Sequence, residues 1–282
     1  MSRQFCEADS SVDEALRLNQ CTKRFRSSAG DDVMALDSVS LVVPRGQVVS
    51  LIGSNGAGKS SLVSAIAGTM PLDEGSILVN SDDLTEQPSW RRARLISLVR
   101  QNPADNVCYP MTVEQNFALA LGVSRRALDL WRPRRAVDGL VRDRAASMLA
   151  RFGMGLENRL KTPVNLLSGG QRQAVAVAMA MVREPEVLLA DEHTAALDPK
   201  SAAAVLEISE AFVREARITM VLITHDMGVA LRYADRVVLM HKGRVVVDLG
   251  ASENAGLNEE DMIGIFRETT GENAPDITLL RH

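Results

Sequence analysis

Apolar and polar positions follow two periods along this chain. Leu16-Arg17-Leu18 and Val39-Ser40-Leu41-Val42-Val43 alternate every second residue, which predicts strands of an antiparallel region with a turn at Pro44-Arg45-Gly46. Short, unbroken apolar runs predict further strands at 48–52, 76–79, 96–99, 187–190, 219–224, 237–240 and 245–247. A turn at Asp73-Glu74-Gly75 and a hairpin turn at Lys242-Gly243 separate some of them, and Pro103 is expected to end the regular structure after 96–99. Helical spacing predicts helices over 59–67 (closed by Gly68), 173–182, 200–216 and 258–267, the last with Met262, Ile263 and Phe266 on one face. Strands alternating with helices predict an α/β fold.

Between 104 and 165 the pattern changes. Val141, Ala145, Met148, Leu149 and Phe152 fall on a helical face, and arginine becomes dense at 125, 126, 132, 134, 135, 142 and 144. This segment reads as a helical insertion in the α/β domain. With Trp131 as its sole interleaved aromatic, its arginines suit a solvated or partner-docking face better than a nucleic-acid surface. Residues 1–14 are polar and read as a flexible tail, 15–250 as one domain, and 251–282 as a helix with a loose tail.

Composition narrows the classes. A net charge of -4 supplies no basic field for nucleic acid. Cys6, Cys21 and Cys108 are odd in number and lack metal spacing, as expected of reduced thiols in a cytoplasmic protein. The N-terminus does not read as a signal peptide, and no apolar run approaches the roughly 20 residues that span a bilayer. Service to a membrane would therefore pass through a partner.

The candidate chemistry starts at GSNGAGKS, residues 53–60, directly after the apolar run VVSLI. The pattern G-x-x-x-x-G-K-[ST] aims several backbone N–H groups at one polyphosphate, and glycines let the backbone approach and turn sharply. Lys59 supplies a mobile charge for the β- and γ-phosphates, the Ser60 hydroxyl can ligate Mg²⁺, and the following helix adds its positive end. Phe25, upstream of this loop, is a candidate to stack on a purine. Leu167-Ser168-Gly169-Gly170-Gln171 places two further glycines before a helix. Asp191 and Glu192 stand at the carboxyl end of strand 187–190, where ligands sit in open α/β sheets, and His225 ends strand 219–224.

These motifs, in this order over about residues 15–250, resemble the ATP-binding subunit of an ABC transporter, importer type. The resemblance implies a P-loop NTPase (RecA-like) core with an antiparallel β subdomain and an inserted α-helical subdomain. It implies that Phe25 stacks on adenine and that Gly53, Ser54, Asn55, Gly56, Ala57, Gly58, Lys59, Ser60 and Ser61 hold the phosphates of ATP. Gln101 matches the glutamine that senses Mg²⁺ and the γ-phosphate. Asp191 supports Mg²⁺ with Ser60, Glu192 matches the general base, and His225 matches the residue that contacts the γ-phosphate. Asp198 belongs to the loop that follows. Ser168, Gly169, Gly170 and Gln171 match the family signature, which faces the ATP held by a second copy, so two chains sandwich two nucleotides head to tail.

A narrower similarity, through GSNGAGKS, 155–160, 191–200 and 239–244, is to importer subunits of the tryptophan/tyrosine uptake group; Ala196 and the arginine-rich 125–135 segment depart from that pattern. The group implies an integral membrane permease, a solute-binding protein, and residence at the cytoplasmic face of the cell membrane. Gln101 with 103–112 is the expected permease contact, Val107, Cys108, Tyr109, Pro110 and Met111 forming a small apolar rim. The alternative is a soluble ABC ATPase acting on nucleic acid or ribosomes; its chromosome-type members carry long coiled coils and its ribosome-type members two cassettes, and this chain has neither feature.

Overall fold

The computed structural model describes residues 13–26, 32–122, 137–195 and 197–271. Arginines 125, 126, 132, 134 and 135, Trp131, Cys6 and Ala196 lie outside them.

Two sheets carry the fold. Strands β1 (Glu14–Arg26), β2 (Asp32–Pro44), β4 (Glu74–Val79) and β5 (Asp82–Asp83) form an antiparallel sheet in the order β2-β1-β4-β5. The second sheet holds β3 (Val48–Ile52), β6 (Ile96–Val99), β7 (Val187–Asp191), β8 (Thr219–Ile223), β9 (Arg236–His241) and β10 (Arg244–Leu249), in the order β10-β9-β3-β8-β7-β6. It is parallel from β9 to β6, and β10 closes back on β9 as an antiparallel hairpin.

The unbroken apolar runs are explained by burial on both faces. Val49, Leu51, Leu189, Val221, Ile223 and Met240 pack beneath the antiparallel sheet and the helix α1 (Lys59–Ile66), whose Leu62, Val63 and Ile66 fill the space between the two sheets. Leu188, Ala190, Met220 and Leu222 point the other way, one residue out of phase. They meet the helices α3 (Val113–Gly122), α4 (Gly139–Ala150), α5 (Gly169–Met181) and α6 (Pro199–Glu215). A third cluster joins Ile52, Val237 and Leu239 to α7 (Met227–Tyr233) and to Met262 and Phe266 of α9 (Glu259–Thr270), after the short α8 (Ala251–Asn254). Ile263 is only partly buried there.

Several sequence expectations need correction. Glu14 already pairs with Pro44, so the sheet starts inside the expected tail. Glu74 and Gly75 belong to β4 rather than a turn, because β1 bends with a register shift and Thr22 pairs with Glu74. Pro103 opens a 3-10 turn (Pro103–Asp105) capped by the Asn102 side chain, so it starts structure instead of ending it. Helix α5 begins at Gly169, four residues early, because Ser168 caps it. Helix α9 runs to Thr270 and closes at Gly271. Val107 is buried in the helical core and so does not form the expected rim, while Tyr109 is half-buried, packed against that core with the Arg172 guanidinium 5.7 Å from its ring centroid.

The short helix α2 (Ser89–Arg92) ends in a buried arginine with a structural task. Its guanidinium donates to the carbonyls of Ala65 (2.6 Å), Ile66 (3.0 Å), Thr85 (2.8 Å) and Gln87 (2.9 Å). Two of these end α1, whose last carbonyls have no partner within the helix.

Candidate functional site: the carboxyl edge of the parallel sheet

Four neighbouring strands deliver the predicted residues to one edge. The phosphate loop follows β3, Thr224 and His225 follow β8, Asp191 and Glu192 end and follow β7, and Gln101 follows β6. Parallel pairing puts all four carboxyl ends on the same side, so residues separated by up to 172 positions share one edge.

The loop is built for close approach. A Cβ on Gly53 (φ +152) would lie 2.3 Å from the Met240 carbonyl oxygen, and one on Gly58 (φ +102) 2.5 Å from that of Ala35. Ser54 accepts from Ala57 N–H at 3.1 Å, turning the chain into α1. Lys59, Ser60 and Ser61 form the first turn, where backbone N–H groups lack partners inside the helix. Lys59 is buried, and its ammonium donates to the carbonyls of Gly53 (2.6 Å) and Ser54 (3.1 Å). Burial pulls its pKa down, opposed by the charges of Glu192 and Asp191. The donor set and the tight glycine cradle fit a polyphosphate. Asn55 and Gly56 are exposed at the loop tip, and Ala57 is buried behind it.

Asp191 is half-buried, and its carboxyl pKa is raised by that burial and by Glu192, with Arg100 and Lys59 opposing. Glu192 sits at φ +44, a left-handed conformation uncommon for this residue type. Its N–H donates to Ile223 O at 3.0 Å, which pins the turn to β8. Its carboxylate Oε1 lies 3.3 Å from Nδ1 of His225. Arg100 is a residue that the sequence reading did not single out. Asn106 clamps the loop behind it by accepting from Arg100 N–H and donating to the carbonyls of Arg100 and Asn102. Gln101 is exposed on this loop.

Phe25 is 45% exposed, with the Lys23 ammonium 5.8 Å from its ring centroid. Its partner across the hairpin, Val33, is two residues from Ala35, the residue covering Gly58, so the ring belongs to the neighbourhood of the phosphate loop. An exposed flat ring there can stack on a base.

The signature residues are held elsewhere. Ser168 accepts from Gln171 N–H at 3.3 Å while Gln171 Oε1 accepts from Ser168 N–H at 3.2 Å, a capping box that opens α5. Arg159 also donates to Gln171 Oε1, at 3.1 Å. A Cβ on Gly169 would meet nothing within 4 Å, and one on Gly170 would approach Ser201 at 3.2 Å. Among the described residues no hydrogen bond joins 168–171 to the phosphate loop. Asp198 is the N-cap of α6, accepting from Ser201 N–H at 3.0 Å, and hydrogen bonding from the Ser201 side chain and backbone holds its carboxyl below the ordinary range. Its carboxylate therefore has a capping task that the sequence reading had not assigned.

A profile of the family described as ABC transporter matches residues 36–195. The chain belongs to the ABC transporter family. It is 36% identical over 251 residues to a tyrosine transport ATP-binding protein of Clostridioides difficile, covering 89% of this chain and 98% of that one. It is 35% identical over 241 residues to a methionine import ATP-binding protein of Rhizobium johnstonii, covering 83% of this chain but only 60% of that relative's length. A solved ATP-binding cassette, a dimer in a post-hydrolysis state with ADP and phosphate, superposes with a TM-score of 0.72 at 27% identity, over 84% of this chain and 98% of that one. The two-sheet α/β architecture is thus that of an ABC ATPase cassette. Among the described residues no helix is long and apolar enough to cross a membrane.

Proposed function

We propose that this chain is the ATP-hydrolysing subunit of an importer and energises uptake of a small organic solute through a separate membrane permease. The observation that carries the reading is the order of the sheet: β3, β8, β7 and β6 present Lys59 and Ser60, His225, Asp191 and Glu192, and Gln101 side by side. In this reading the loop 53–61 binds the phosphates of ATP and Phe25 stacks on its base. Ser60, Asp191 and Gln101 would hold Mg²⁺, which would supply charge neutralisation to the phosphates. Glu192 accepts the proton of the attacking water, and His225 orients that carboxylate while facing the γ-phosphate.

Ser168 is exposed, Gly169 and Gly170 are half-buried, and in this reading a second copy of the chain completes each site at the signature 168–171, head to tail. ATP binding closes the pair and hydrolysis opens it, a two-state switch biased by a ligand. We further place the ATPase domain at 15–250 with its helical part inserted at about 104–165, and the protein at the cytoplasmic face of the membrane. A solute-binding protein feeds the permease, and the similarity to a tyrosine transport protein makes an aromatic amino acid the first solute to try.

The test is reconstitution with the cognate permease in vesicles. ATP hydrolysis should be stimulated by the permease, and a cysteine placed at Asp105 or Tyr109 should crosslink to it. Hydrolysis indifferent to the permease but stimulated by DNA or ribosomes would transfer the protein to the soluble branch of the family.

A further inference from the structure

Arg100 stands directly before Gln101, and none of the steps proposed for hydrolysis uses it. Its backbone is fixed on both sides: the Asn106 side chain accepts from its N–H at 2.8 Å and donates to its carbonyl at 2.9 Å. Its side chain is exposed, and the guanidinium makes no hydrogen bond or ion pair with a described residue. A cation on an anchored backbone, left without a carboxylate, is available to an anion from outside the chain.

The register of the sheet gives the direction of that side chain. Leu98 pairs with Leu189 and Val99 with Ala190, so Arg100 and Asp191 come next in line across β6 and β7. Val99 and Ala190 belong to the helical core, whereas Leu98 and Leu189 pack on the opposite face, the one that α1 covers. Alternation returns Arg100 and Asp191 to the α1 face, the face on which Lys59 opens its helix. The charges agree with this placement, since the Asp191 carboxyl is within electrostatic reach of both Arg100 and Lys59.

The order of strands selects the part of the ligand that Arg100 can meet. The phosphate loop follows β3, and β8 and β7 separate it from β6. At the usual spacing of neighbouring strands, β6 lies about 14 Å from β3. A side chain starting there reaches over Asp191 towards the end of the polyphosphate furthest from the base, and not to the phosphates cradled in the loop. That end also lies beside the carboxylates of Asp191 and Glu192, where an added positive charge offsets repulsion.

We propose that the Arg100 guanidinium is a binding residue for the γ-phosphate of ATP, and that through it the chain distinguishes ATP from ADP. The proposal rests on the loop 53–61 holding the nucleotide. A guanidinium offers two parallel N–H donors to two phosphate oxygens, whereas lysine offers a point charge.

The experiment titrates the wild-type chain, R100Q, R100K and K59A with Mg²⁺ and either ADP or the non-hydrolysable β,γ-imido analogue of ATP, reading both dissociation constants by calorimetry. Melting temperature is measured for each protein, and permease-stimulated turnover for R100Q. We expect R100Q to weaken binding of the ATP analogue about tenfold and that of ADP by less than about twofold. Its melting temperature should stay at the wild-type value, because the side chain has no partner to lose. R100K, which keeps the charge without the fork, should fall between R100Q and wild type. Equal weakening of the two nucleotides in R100Q overturns the proposal, as does binding of both at wild-type affinity. A defect confined to permease-stimulated turnover also overturns it and assigns Arg100 to the permease contact. K59A binding both nucleotides like wild type instead removes the loop 53–61 from the nucleotide site, which separates that failure from a failure of Arg100.

Discussion

His225 Nδ1 and Glu192 Oε1 lie 3.3 Å apart, across the ends of the neighbouring strands β8 and β7. Glu192 reaches this position at positive φ, so its carboxylate is aimed by backbone strain and by an imidazole together. A base that must accept a proton from one water molecule gains from both restraints.

The pair should act as a unit. Glu192→Gln is expected to bind ATP yet lose roughly 10²–10⁴-fold in turnover, since an amide cannot take the proton. His225→Ala should also slow turnover, and the double variant should be little worse than Glu192→Gln alone. Steady-state hydrolysis of the three proteins decides it, and additive losses would mean that the 3.3 Å contact is incidental.

Stacking can be separated from chemistry. Phe25→Ala should weaken ATP binding by about 1–3 kcal/mol, on the scale of base–aromatic stacking, while turnover at saturating ATP changes little. Equilibrium titration with a fluorescent ATP analogue reads the affinity. An unchanged value would assign Phe25 to the surface and the base to another residue.

Gly53→Ala forces a methyl to within 2.3 Å of the Met240 carbonyl, backbone that cannot swing aside. The loop has to shift, so nucleotide binding should be lost while circular dichroism retains the α/β signal. Binding at wild-type affinity would show that the cradle tolerates the extra atom.

Gly169→Ala poses the opposite case, because its methyl meets nothing within 4 Å inside the chain. Melting temperature and ATP binding by the single chain should stay unchanged. Turnover should still fall, by about tenfold or more, if that methyl meets nucleotide held by a second copy. Wild-type turnover would argue against the head-to-tail arrangement.

Arg92→Ala tests the brace under the phosphate-loop helix. Losing the guanidinium leaves the carbonyls of Ala65 and Ile66 without this donor in a buried setting and opens space beside Gly68. A stability loss of about 3 kcal/mol is expected from urea unfolding, at the upper end for ordinary substitutions. A loss below about 1 kcal/mol would mean that water replaces the guanidinium at these carbonyls.

Much of this protein could be read from local pattern. GSNGAGKS, the apolar runs that end at Asp191 and near His225, and LSGGQ are local strings, and each declares a strand end or a helix start by residue type alone. The family followed from those strings, and the strands that carry the loop 53–60, Asp191 and His225 are neighbours in one sheet. Boundaries were less legible where pairing overrides composition. Glu74 and Gly75 look like a turn, but β1 recruits them by hydrogen bonds to a strand more than 50 residues away.

Only the tertiary structure could decide which strand ends are neighbours, because sheet order is a property of long-range pairing and not of any window of sequence. It moved Val107 into the core and gave Asp198 a capping bond. It also placed Arg100 near Asp191 and buried His193 beside the catalytic edge. A histidine or an arginine between polar neighbours reads the same in sequence whether water or a cavity surrounds it. Burial, partner and charge environment exist only once the chain has closed on itself.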